Sequence, residues 1–289
     1  MGIIKPELRF RRNLMRKFRL LLCLMCMVVV QLPLVAEEPA DTSTKESGSA
    51  ITAEQIIEKS IEATGGRKAF DKIKSSVMKG SNEMAAMNIK MDFTVYTKAP
   101  NKMLMVQALP FGMGEMKIGF DGKTGWSSDT MSGLRTLTGP ELEMLKKQAQ
   151  VNADLNWREY YKNLELVGTK EINGRSAYEV QFTPKDIKSA DGKTETPGLS
   201  KPVTQYYDKE TFMLLRMDMT MESPQGTQSV QVYPSDWRVV DGVKVPFVTK
   251  TITSVGDMVT KIVEFKTNPE LDDSLFAMPA EDDTEEAEE

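Results

Sequence analysis

Two short patterns in this chain match parts of the serine acyl-transfer machinery. Ser76-Val77-Met78-Lys79 fits S-x-x-K, and Lys123-Thr124-Gly125 fits K-T-G. That chemistry needs the serine at a helix start, so that a lysine one turn later shares its face and can take the hydroxyl proton. Ser76 and Lys79 sit in a stretch that reads as a strand, which sends them to opposite faces. The nearest S-D-N counterpart, Ser128-Asp129-Thr130, also follows K-T-G instead of preceding it. Paired carboxylates are the other route, because general acid–base work needs only two Asp or Glu with separated pKa values. Asp272-Asp273 and Asp121 are available, but each stands in a turn or cap sequence, where a carboxylate ordinarily accepts from backbone N–H groups. Asp186 and Asp191, in a long polar loop, are too sparse for a calcium cage. The chain has no histidine, which excludes Ser-His-Asp triads, His-ligated zinc and imidazole chemistry. Both cysteines, Cys23 and Cys26, lie within the first 36 residues. The residue types therefore predict a protein without catalysis, cofactor or metal, with a carboxylate hydrolase as the least supported alternative.

The methionines point elsewhere. Of 20 in the chain, 16 follow residue 36, and many fall at strand spacing on apolar stripes. The inward-facing candidates are Met91, Phe93 and Val95; Met103 and Met105; Met116, Ile118 and Phe120; and Leu215, Met217, Met219 and Met221. Methionine is unbranched and polarizable, so a face lined with it adapts to ligands of varied shape, acyl chains included. Ordinary core packing accounts for the same stripes, and spacing alone does not choose between the two.

These stripes must be held by strands. Ile89, Met91, Phe93 and Val95 alternate with Asn88, Lys90, Asp92 and Thr94, and Tyr178, Val180 and Phe182 alternate with Glu179 and Gln181. This is the period of antiparallel strands with one dry and one wet face. Asp121-Gly122, Asn173-Gly174, Asp208-Lys209 and Asp241-Gly242 supply the turns. Two helical patches accompany them. Thr52 and Gln55 form a capping box before Ile56, Ile57 and Ile61, with Gly65-Gly66 as the stop and a short turn over 67–73. Pro140 opens a second helix carrying Leu142, Leu145 and Ala149, with a further turn or two over 154–161. Trp126, Trp157, Tyr160, Tyr161 and Trp237 are expected to anchor helices to the sheet. Residues 51–279 read as one domain, a large curved sheet closing on a few helices.

The segments on either side indicate export. Residues 1–36 combine seven basic side chains, an apolar run from Leu20 to Val30 and an Ala before Glu37-Glu38, as a signal peptide does. That run of 11 residues falls short of the ~20 a spanning helix needs. Retention as an uncleaved anchor is the alternative. Residues 37–50 read as a polar linker and 280–289 as an acidic, solvated tail. Without residues 1–36 the chain keeps 30 basic and 41 acidic residues, a net charge near −11. Such a body repels phosphate backbones, so nucleic acid is excluded as a partner.

Several stretches, in order over nearly all of 51–279, resemble the LolA/LolB superfamily of periplasmic lipoprotein carriers, specifically the outer-membrane lipoprotein-sorting group. They are Ala63-Thr64-Gly65-Gly66-Arg67-Lys68-Ala69-Phe70; Phe120-Asp121-Gly122-Lys123-Thr124-Gly125-Trp126; Gly174-Arg175-Ser176-Ala177-Tyr178-Glu179-Val180; Tyr207-Asp208-Lys209-Glu210-Thr211; Ser235-Asp236-Trp237-Arg238 with Asp241-Gly242-Val243-Lys244-Val245-Pro246; and Leu271-Asp272-Asp273 with Phe276-Ala277-Met278-Pro279. The resemblance implies an α+β, mainly antiparallel fold: an open curved half-barrel with helices covering its concave face. It further implies a periplasmic or secreted protein that binds lipid or lipoprotein acyl chains between sheet and helices, for transport without chemistry. A relative's role, as an envelope sensor or regulator holding a membrane-protein partner, is the alternative. No carrier-type cavity arginine can be placed here, and the acidic tail and the long loop over 184–201 are not carrier features.

Overall fold

A computed structural model describes residues 51–151, 153–185, 201–223, 226–254 and 256–280. The expected signal segment and polar linker, most of the long loop with Asp186 and Asp191, and residues 281–289 of the expected acidic tail lie outside the described residues.

Among the described residues thirteen antiparallel strands form one open, curved sheet. They are β1 (Ser75–Met84), β2 (Ile89–Lys98), β3 (Lys102–Ala108), β4 (Glu115–Phe120), β5 (Gly125–Asp129), β6 (Gly133–Thr136), β7 (Tyr161–Ile172), β8 (Arg175–Pro184), β9 (Val203–Asp208), β10 (Leu214–Ser223), β11 (Gly226–Val240), β12 (Val243–Thr253) and β13 (Gly256–Thr267). The sheet order is β6-β5-β4-β3-β2-β1-β13-β12-β11-β10-β9-β8-β7. Two meanders, β1–β6 and β7–β13, are thus joined at a seam where β1 pairs with β13, leaving β6 and β7 as the outer edges.

The turns form where the residues demand. Asn173-Gly174 and Asp241-Gly242 each have two consecutive positive φ values, the type I′ geometry whose twist matches that of hairpin strands. Asp121 Oδ1 accepts from the backbone N–H of Lys123 and Thr124, and Asp208 Oδ1 does the same for Glu210 and Thr211. Burial pushes the Asp208 carboxyl up, but the Thr211 and Glu210 bonds and the Arg175 guanidinium outweigh it and leave the group below its ordinary value.

Among the described residues four α-helices accompany the sheet: α1 (Ala53–Ala63), α2 (Arg67–Phe70), α3 (Gly139–Ala149) and α4 (Trp157–Tyr160). Thr52 and Gln55 close both bonds of the expected capping box. The chain leaves α1 through Gly65, whose backbone lies so close to the Gly242 carbonyl that a Cβ would overlap it. Ile56, Ile57 and Ile61 of α1, Leu145 and Ala149 of α3, and Trp157 of α4 share one buried cluster with residues of β1–β4, β7–β9, β12 and β13.

The C-terminal segment packs on the other face. Phe276, fully buried, clusters with Leu104 and Trp126, and Trp126 Nε1 donates to the Phe276 carbonyl at 3.0 Å. Gly119, directly across from Trp126, has no side chain because a Cβ would overlap the indole. Trp126 therefore anchors the single 3-10 turn Asp273–Phe276 to the sheet, and not one of the α-helices. Asp272 accepts from the Ser274 N–H, and Asp273 pairs with Lys102 and Lys98, which hold its carboxyl down at about 2. This acidic pair serves as a cap and a clamp.

Candidate functional site

Pairing register sorts every strand residue to one face or the other, because directly opposed residues point the same way. One face carries the ions. Lys79 pairs with Glu264, Lys261 with Glu83, Lys250 with Asp257 and Lys266 with Glu264, all across or along neighbouring strands. The S-x-x-K residues divide as their strand dictates: Lys79 is in this ladder, whereas Ser76 bonds the Thr97 hydroxyl at 2.7 Å on the opposite face. No nucleophile–base pair forms.

The opposite, inward face is nearly free of charge. On β1, β2, β12 and β13, and on β10 and β11 as far as Pro234, its positions carry no ionisable side chain. Phe93, Val95, Met103, Met105, Met116 and Phe120 belong to the buried cluster shared with the helices, and Ile118 packs partly buried against it. Met91 belongs to a separate buried cluster with Met84, Ile89 and Met258. Met217 and Met219 pack against Val230 and Val232 in a third. Met221 stands in register with Gln228, one step further along the same hairpin. The expected lining residues thus fall into two zones: one under the helices, and one beyond them that contains no helix residue.

Leu215 does not share this face. A bulge between Leu214 and Arg216 shifts the β9–β10 register by one residue, so Leu214 joins the inward cluster. Leu215 packs outward with Ile172, Ala177, Tyr206 and Tyr233. Met78, Met84, Met258, Phe247 and Ile262, not singled out from the sequence, complete the inward face.

The inward face also holds polar residues that the sequence reading missed. Asn82, Thr249, Thr251, Thr260 and Gln107 are all buried there. Gln107 Nε2 points to Met91 Sδ at 3.8 Å, and Thr260 Oγ1 donates to Asn82 Oδ1 at 2.7 Å. The hydroxyl of Thr251 and Oε1 of Gln228 are buried without a hydrogen-bond partner, as is Nε1 of Trp157. The signal was present: Thr249 and Thr251 keep the parity of Val243, Val245 and Phe247 along β12.

On the outward face a groove of about 760 Å³ lies between the β7–β8 turn and β11–β12, lined by Tyr233, Trp237, Lys244 and Lys250 among others. Trp237 is thus a groove residue, not a helix anchor. Among the described residues no group of three or more His, Cys, Asp or Glu could hold a metal ion. No helix among them is long and apolar enough to cross a membrane.

No family model matches the sequence, and no curated protein matches it. Solved structures do match in fold. A DUF1329 family protein from Desulfovibrio piger superposes with a TM-score of 0.53 at 16% identity, over 78% of this chain and 97% of that one. A LolA superfamily protein from Nitrosomonas europaea gives 0.51 at 16%, over 79% and 98%. An outer membrane lipoprotein-sorting protein domain from Vibrio parahaemolyticus gives 0.51 at 11%, over 78% and 97%. At these identities the likeness is one of architecture, and the architecture of this chain is LolA-like.

Proposed function

We propose that this is an exported, non-enzymatic protein that binds lipid or lipoprotein acyl chains on the inward face of its sheet and carries them across the periplasm. The observation that carries the reading is the inward face itself. It runs across β2, β1, β13, β12, β10 and β11 as far as Pro234 without an ionisable side chain, is rich in methionine, and extends beyond the zone packed with helices. The helices cover the other part of this concave face and close the floor of the site. Met91, Met217, Met219 and Met221 form the chain bed, with Phe93, Val95, Met103, Met105, Met116, Ile118 and Phe120 beneath it. Each methylene withdrawn from water there contributes ~0.8 kcal/mol. A LolA-like fold, shared with a lipoprotein-sorting domain, supports the same reading.

Native mass spectrometry of the protein purified from its own envelope, followed by solvent extraction, tests this. A stoichiometric lipid or acylated peptide supports the reading and names the ligand. An empty protein that retains a protein partner instead supports an envelope sensor or regulator. The outward groove beside Trp237, Tyr233 and Lys244 is the observation that favours that second role.

A further inference from the structure

Polar residues interrupt the apolar inward face at its centre. Asn82 on β1, Thr260 on β13 and Thr249 on β12 stand opposite one another in register, and Thr251 follows two residues along β12. Asn82 and Thr260 satisfy each other. Thr251 does not share in this: it is 1% exposed, its cross-strand neighbours are Met258 and Val232, and its hydroxyl has no partner. A valine would fill the same space without leaving a polar group unpaired, so the hydroxyl is a cost that folding alone does not explain.

We infer that Thr251 is the specificity point of the acyl-chain site: its hydroxyl donates to the carbonyl oxygen of a neutral ester or amide that joins the chain to the rest of the ligand. This rests on the acyl-chain reading above and names the ligand class. Neutrality follows from the surroundings. The inward positions of β1, β2, β12 and β13 and of the adjoining part of β11 carry no cation. A carboxylate or phosphate seated there would lose its water with no countercharge, whereas an ester or amide needs only a hydrogen-bond donor. Position follows from the flanks. Met84, Ile89, Met91 and Met258 lie to one side of Thr251, and Val230, Val232, Met217 and Met219 to the other. Chains attached at a single junction therefore find an apolar bed in either direction. Gln228 Oε1, four residues along β11 from Val232 and so about 13 Å away, is too distant for the same carbonyl. It is placed to accept from a hydroxyl or N–H further along the ligand.

The test uses the delipidated protein and three sixteen-carbon probes: monopalmitin, palmitate and hexadecane, each measured by displacement of a bound uncharged dye, Nile red. Wild type is expected to take up monopalmitin more tightly than palmitate at neutral pH. Thr251→Val should weaken monopalmitin about five- to tenfold while leaving hexadecane unchanged, and Thr251→Ser should retain the ester preference. The thermal midpoint of Thr251→Val should equal or exceed that of wild type, so a loss of binding cannot be assigned to misfolding. Equal monopalmitin affinity in wild type and Thr251→Val, with hexadecane still bound, overturns the junction while leaving the acyl-chain reading intact. So does a wild-type preference for palmitate. If wild type binds none of the three, the acyl-chain reading fails and the junction with it.

Discussion

The placement of the acyl chain is tested most directly on β10, where the apolar stripe lies beyond the helix-packed zone. Met217 and Met219 are two residues apart on that strand, partly buried against Val230 and Val232. Side chains at this spacing are about 6.6 Å apart, enough to bed about five methylenes of an extended chain. At ~0.8 kcal/mol per methylene, converting both to Asp removes about 4 kcal/mol of contact, close to a thousandfold in Kd. The control is Thr220→Asp, which places a carboxylate on the same strand but beside Ser229 on the opposite face and should leave binding unchanged. Binding is read by dye displacement with a palmitoyl ligand, and circular dichroism checks the fold of each variant. If the Asp pair loosens the hairpin, Met217→Ser with Met219→Ser makes the same point with less perturbation. A folded double variant that binds as wild type does would refute the placement of the chain on β10.

Four further outcomes test the fold that holds this face. Phe276→Ala empties a fully buried aromatic site and releases the Trp126 indole bond; a loss of about 3–5 kcal/mol should lower Tm by roughly 10 °C and shift Trp126 emission to the red. Gly119→Val places a side chain where the indole lies and should likewise lower Tm and redden the emission. Thr52→Ala removes one half of the α1 capping box and should cost about 1 kcal/mol in denaturant unfolding. Asp273, held at about 2 against an ordinary 3.8 by Lys102 and Lys98, contributes stability that is fully present above 3.8 and is lost as pH falls toward 2. Asp273→Asn should flatten Tm against pH across that window, by a small amount because the pair is exposed.

Local chemistry was legible in the sequence wherever one residue type settles one conformation. Asn173-Gly174 and Asp241-Gly242 could only be tight hairpin turns, Thr52 and Gln55 could only cap, and the alternation around Met91 and Met116 set which residues face inward. The bulge at Leu214–Arg216 was not legible, because nothing in Met213-Leu214-Leu215-Arg216 disfavours regular pairing; one extra residue sends Leu215 outward. Trp126 reads as an anchor for any helix because a large aromatic suits any apolar contact. Only Gly119 beside it and Phe276, 150 residues on, specify which contact it makes. The buried threonines are not legible because Thr reads as the wet half of an alternation. Their parity with Phe247 places them on the dry half, and that is what sets hydroxyls among the apolar residues of the inward face.

The seam between the two meanders has a kinetic consequence. Every other strand pairing joins neighbours in the chain and can form as a local hairpin or a short extension of one. β1 and β13 must meet across roughly 190 residues, Ser76 beside Thr267, so the loop-closure entropy of the whole domain falls on this single ladder. Until it closes, the nascent protein displays four unpaired strand borders where the finished one displays two. The interval before β13 arrives is therefore when a second copy can most readily supply its own strand instead, and the rate of that one closure governs how much of the chain escapes misassembly.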